Sequence, residues 1–307
     1  MLCPLLLCAQ PFPAKPIRIV TSEPGGGNDF GARILSVALT EQLGQQILIE
    51  NRGAAGGAIA AETVAKAAPD GYTLLYYGSN IWLLPYLRKN VPYDPVRDFA
   101  PITLTVRAPN ILVVHPSLPV KTVGELLTLA KARPSELNYG SGASGSSTQM
   151  ATELFRYMAG IQLAHIPYKG NGPALNALIA GEVQVAFASP GSVSQHIKSG
   201  RLRALGISSA QPSPLLPGLP TVAASGVPGF EAVSMVGVFA GAKTPPVLIA
   251  RLHQEFVRAL ARTDVKQKFF NAGVETVGST PEEFGALVKS EMTRMGKVIR
   301  DAGLAEK

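Results

Sequence analysis

Cysteine is nearly absent: Cys3 and Cys8 are the only two, and both fall in the opening ten residues. From Ala9 onward the chain has no disulfide, no thiolate metal site and no cysteine nucleophile. Histidine is scarce as well. His115, His165, His196 and His253 stand far apart, and no H-x-x-x-H pair occurs among them. There is no Walker A sequence and no G-x-S-x-G nucleophile elbow. Acidic residues do not pair in the glycine-rich loops, except that Glu23 and Asp29 share one. Asp29 already has work there as a helix cap. Without a nucleophile–base pair or a metal-ligand cluster, catalysis is disfavoured. No Lys/Arg run interleaved with aromatics occurs, so nucleic-acid binding has no support. The net charge of +7 either steers anionic ligands or only solubilises the surface. Met1–Gln10 carries four leucines and no charge, yet is too short to span a bilayer. It reads as the end of a secretory leader whose basic start is missing, or as a frayed apolar terminus.

What remains is a chain of 307 residues, 46% of them hydrophobic, with Gly and Pro spread throughout. That is a folded α/β composition, long enough for two ordinary domains or one large one. Ile17–Val20 alternates like a strand, and Pro24 with Gly25, Gly26 and Gly27 breaks the pattern. Phe30, Ile34, Leu35, Val37 and Ala38 then recur at helical spacing, with Asn28 or Asp29 as cap. A helix N-terminus behind glycines suits a small carboxylate or phosphate. The same glycines serve equally as a tight strand-to-helix turn.

Strand, glycine-rich loop and helix alternate again through Ile47–Ile49, Asn51–Gly57 and Ala58–Ala67, and Tyr72–Tyr77 is a third strand. This argues for parallel βαβ units, with ligands beyond the strands' carboxyl ends. Thr21–Asp29 and Gly78–Asn80 then share one rim. Leu137–Tyr139, the Gly140–Thr148 loop and a helix from Gln149 repeat the opening pattern with more hydroxyls. Gly140–Gly145 matches G-x-G-x-x-G, but no acidic residue lies between Leu154 and Gly181, so a dinucleotide site is not implied. The geometry still serves a smaller anion. Pro173 suits a first helical position. Tyr168-Lys169-Gly170 lines a cleft or is a solvated loop; Trp82 walls a pocket or packs in the core. Thr280-Pro281-Glu282-Glu283 is a capping box opening the last helix.

Several landmarks occur together and in order: Pro24–Asp29, Glu50-Asn51-Arg52, Ala68–Leu75, Pro92–Phe99, Val113–Leu118, His165–Gly170, Leu219–Val222 and Thr280–Phe284. With them the chain resembles the Bug family of periplasmic solute-binding proteins, receptors of tripartite tricarboxylate transporters. The resemblance implies an α/β, two-lobed type II periplasmic-binding-protein fold with two crossover strands and a ligand cleft. The crossings fall near Thr103–Ala108 and Val233–Gly237. Residues 1–12 would be a leader remnant, 13–105 plus 236–307 one lobe, and 106–235 the other. The ligand would be a small carboxylate held by amides, hydroxyls and water, with no cofactor, metal or catalytic residue. Its implied contacts are Ser22, Glu23, Gly26, Gly27, Asn28 and Asp29 in the first loop. Ser79, Asn80 and Ser189 follow other strands. Ser141, Ser144, Gly145, Ser146, Ser147 and Thr148 form the second loop. The protein would be periplasmic, monomeric and a partner of membrane transporter subunits, itself spanning no membrane. Three positions depart from the family. Thr21-Ser22-Glu23 replaces a Pro-Phe pair, Gln149 stands where His is frequent, and Ala188 stands where Asp is frequent. The alternatives are a hydrolase or transferase acting on a small anion in the same cleft, and a cytoplasmic ligand-sensing domain.

Overall fold

The computed structural model describes residues 12–142, 145–168 and 170–306. The expected leader therefore lies outside the described residues, apart from position 12, as do Ser144 and Lys169. β1 (Ile17–Thr21) drives Ile17, Ile19 and Val20 into the interior. α1 (Gly27–Leu43) starts at the third loop glycine, three residues before the apolar pattern begins. It stops at Gly44, whose φ of 64° suits glycine. β2 (Ile47–Asn51), α2 (Ala58–Ala65) and β3 (Thr73–Gly78) follow, and β1 pairs parallel with both β2 and β3.

α3 (Asn80–Leu87) was not legible as a helix, because Asn80–Leu87 is apolar nearly all round and carries Pro85. Its Trp82 is fully buried in the core, not in a pocket wall. β4 (Phe99–Pro109) is the long outward strand. After Asn110 alone the chain enters β5 (Ile111–Val114) of a second sheet. α4 (Val123–Ala132) has its Thr122 cap, β6 (Asn138–Ser141) leads to α5 (Ser147–Ala159), and β7 (Ala164–Pro167) leads to α6 (Asn171–Ala180). Pro173 is thus the third helical residue, not the first. β8 (Val185–Ala188), α7 (Pro190–Lys198) and β9 (Arg203–Ile207) complete this half. The return strand β10 (Val233–Gly241) is followed by α8 (Pro246–Ala261), α9 (Thr263–Asn271), the short β11 (Glu275–Thr276) and α10 (Pro281–Asp301).

The first sheet runs β11-β4-β10-β3-β1-β2 and the second β7-β6-β8-β5-β9. Neither is purely parallel. β10 runs against both β3 and β4, and β5 against both β8 and β9. The reason is that β4 and β10 carry the chain out and back, so they must oppose one another. Where the chain changes sheets, a buried polar knot fixes it. Asn110 N–H donates to Ser208 Oγ (2.7 Å), Asn110 Nδ2 to the Ala232 carbonyl (3.2 Å), and Ser208 Oγ to the same carbonyl (2.7 Å). Buried polar groups so paired hold one geometry firmly.

One apolar core continues across both halves. Trp82, Phe239 and Phe284 meet in it, with the Phe239 and Phe284 ring centroids 4.7 Å apart. Phe284 lies against Gly237 of β10, so closely that a Cβ there would strike the ring. The capping box of α10 forms as the sequence requires: Glu283 N–H donates to Thr280 Oγ1 (3.1 Å), and Thr280 N–H to Glu283 Oε2 (2.9 Å). No helix among the described residues is long and apolar enough to cross a membrane.

Candidate functional site

The loops after β1, β3, β6 and β8 open on one cleft of about 840 Å³. The first loop is folded by Asp29. Its carboxylate accepts from Gly25 N–H (2.9 Å), Asn51 Nδ2 (2.8 Å) and Arg33 Nε (3.0 Å). Gly25 can bend back to reach it because φ is +79° there. Asp29 is therefore buried behind the loop and does not line the cleft. Neither it nor Asn28 is the cap of α1: the N-cap is Gly26, with no side-chain bond. The amides of Gly27 and Asn28 are left at the cleft wall.

Burial alone would raise the Asp29 carboxyl, but the bonds from Arg33, Asn51 and Gly25 outweigh it and hold the group at about 2. A depressed carboxylate pKa stabilises the fold above its ordinary value of 3.8, and that contribution fades as pH falls to about 2. Asp29→Asn should cost about 1–2 kcal/mol at neutral pH. The gap from wild type should close by about pH 2, read from urea midpoints over a pH series. A gap that stays constant with pH would show that the charge is not what matters.

Ser22, Glu23, Gly26, Gly27 and Asn28 line this side of the cleft, together with Ser79 and Asn80 at the start of α3. Asn80 Nδ2 donates to the Gly56 carbonyl (2.8 Å) and so ties the loop after β2 to the site. Tyr77 is packed over Gly57, and burial, then the Glu23 charge, push its hydroxyl's ionisation upward.

On the opposite side, Gly145, Ser146, Ser147, Thr148 and Ser189 line the cleft. Ser146 caps α5 by accepting from Gln149 N–H (3.3 Å), while Gln149 Oε1 accepts from Gly145 N–H (2.8 Å). Gln149 is thus a clasp within the loop. Thr148 Oγ1 donates to Asn171 Oδ1 (3.1 Å), which sets the starts of α5 and α6 side by side. Ser189 and Gly191 bring the start of α7 to the same wall. Five helix N-termini, those of α1, α3, α5, α6 and α7, therefore meet one cavity. Among its described lining residues only Glu23 is charged.

Ser141 is placed elsewhere. It is buried behind the second loop, 2.8 Å from His165 Nε2, and His165 stacks on Tyr139. Ser144 lies outside the described residues. The sequence reading passed over Gly53, Tyr77, Asn110, Asn171 and Ser234, which also line the cleft. The glycines of Asn51–Gly57 and the Gly-Asn-Gly at 170–172 were visible signals for two of these. For Tyr77, Asn110 and Ser234, which sit at strand ends, no local signal exists. No group of three or more His, Cys, Asp or Glu residues able to hold a metal occurs among the described residues.

The family model described as tripartite tricarboxylate transporter family receptor (TctC) matches residues 32–304. The chain is 37% identical over 298 residues to Protein BugT of Bordetella pertussis, covering 96% of this chain and 91% of that one. Among solved structures, R. palustris Rpa4515 with adipate is 35% identical, with a TM-score of 0.84 over 96% of this chain and 99% of that one. MatC from Rhodopseudomonas palustris with bound malate is 30% identical, with a TM-score of 0.79 over 94% of this chain and 100% of that one. The two-sheet architecture is that of these periplasmic binding proteins. The chain belongs to the TctC, or Bug, family of solute-binding receptors.

Proposed function

We propose that this protein is an extracytoplasmic receptor that captures a small organic acid and presents it to membrane transporter subunits, without chemical change to the ligand. The observation that carries the reading is the convergence of five helix N-termini on a cleft whose described lining offers no cation. Open amides and the helix dipoles hold a carboxylate, and hydroxyls of Ser146, Ser147 and Thr148 add donors. The adipate- and malate-bound relatives support a carboxylate as ligand.

In this reading 13–105 plus 236–307 and 106–235 are the two lobes, and they close on the ligand about the crossing strands. The protein acts as a periplasmic monomer with no cofactor. Native mass spectrometry of the purified protein, followed by calorimetry with mono-, di- and tricarboxylates, tests it. We expect one unmodified acid bound per chain. A chemically altered ligand would replace the receptor with an enzyme, and no binding of any acid would remove the carboxylate reading.

A further inference from the structure

We propose that Glu23 is the specificity determinant of this cleft, selecting an acid whose far end carries a hydrogen-bond donor, an ammonium or a primary amide, over one with two free carboxylates. The inference rests on the receptor reading above and narrows its substrate class.

Glu23 is the one charged side chain among the described cleft-lining residues. It is not spent on the protein. It does not cap α1, which has no side-chain cap bond. The arginines near it in the fold have other partners: Arg33 binds Asp29, and Arg18 and Arg52 bind Glu50. Arg88 reaches the Ala55 carbonyl. No donor among the described residues bonds the Glu23 carboxylate, so its acceptor capacity remains for a ligand.

The fold also leaves room for this carboxylate beside Gly53. Gly53, in the loop after β2, has φ −76° and ψ −9°, a conformation open to any residue. Glycine is not needed there for the backbone. A Cβ at 53 would meet the Glu23 carboxyl group, the far end of an exposed side chain, and displace it. The other neighbour is Tyr77, whose hydroxyl feels the Glu23 charge. Glu23 is thus seated between Gly53 and Tyr77 at one end of the cleft, while the starts of α5, α6 and α7 stand at the other. A ligand carboxylate on the latter leaves its far end beside an anion. A second carboxylate there meets like charge, whereas an ammonium or amide N–H gains a charge-assisted bond.

Calorimetry with matched acids of four and six carbons tests this: the dicarboxylate, its half-amide and the ω-amino acid of equal length. Wild type should bind the half-amide or amino acid at least about tenfold more tightly than the dicarboxylate, and Glu23→Gln should erase that ratio. Gly53→Ala, which displaces the carboxylate while keeping its charge, should shift the ratio in the same direction. A dicarboxylate bound equally well by wild type and Glu23→Gln, with the ratio unchanged, overturns the role of Glu23 and leaves the receptor reading standing. Failure of every acid to bind either protein overturns both.

Discussion

Phe284→Ala is expected to lower the unfolding free energy by about 3–5 kcal/mol. The ring is fully buried in the first turn of α10, against Phe239 and edge-on to Trp82. Truncation would leave a ring-sized void, and its walls cannot collapse. Phe239 is held in the return strand beside β4, and Trp82 is packed within α3. Gly237 sharpens the test, since it is small because Phe284 occupies the space its Cβ would need. Gly237→Ala alone should therefore destabilise by overpacking, by about 1–3 kcal/mol. In the Phe284→Ala background that penalty should largely vanish, because the obstructing ring is gone. Urea midpoints at unchanged m-value would read both effects. Additive losses in the double variant would mean that the two positions are not the matched pair described.

Gly191→Val should weaken ligand binding by roughly 5- to 150-fold while leaving the unfolding midpoint nearly unchanged. Gly191 is the second residue of α7, on the second-sheet half, and its backbone is ordinary helix. Its Cβ position lies 3.0 Å from the Ala272 carbonyl oxygen, which belongs to the first-sheet half just after α9. Gly273 faces the same contact from the other side: a Cβ there would come 2.9 Å from Pro190 Cβ. Two glycines thus let the cleft edges meet. In the hinge closure proposed above, the overpacking cost of valine, about 1–3 kcal/mol, falls on the closed arrangement. Opening relieves the clash, so global stability is spared. Unchanged affinity would mean that this edge stays apart when ligand is held.

Local chemistry in the sequence located the glycine loop before α1, the Thr280 cap, and the loop between β6 and α5, because caps and glycines act within a few residues. It did not reveal that Asp29 faces away from the cleft. That outcome depends on Asn51, which arrives from a different strand end. Ser141 shares the hydroxyl-rich stretch with Ser146 and Thr148, but strand pairing sets it beside His165 and behind the loop. Tyr77 and Asn110 reach the cleft only because β3 and β4 end there, one on either side of the return strand. The antiparallel placement of β4 and β10 was likewise invisible to a reading by successive βαβ units. It is a property of the path between sheets, not of any segment.

Apart from Glu23, the described lining of the cleft offers dipoles, hydroxyls and amides. Fixed positive charges draw ligands from a distance, but mobile ions shield them beyond about 8 Å at physiological ionic strength. Helix ends act within a single turn, at contact range. Salt screens that attraction too, and the Glu23 charge in the cleft adds a salt dependence of its own. In the proposed receptor, recognition therefore rests on fit at contact range more than on attraction from a distance, with Glu23 the one charge among the described lining residues.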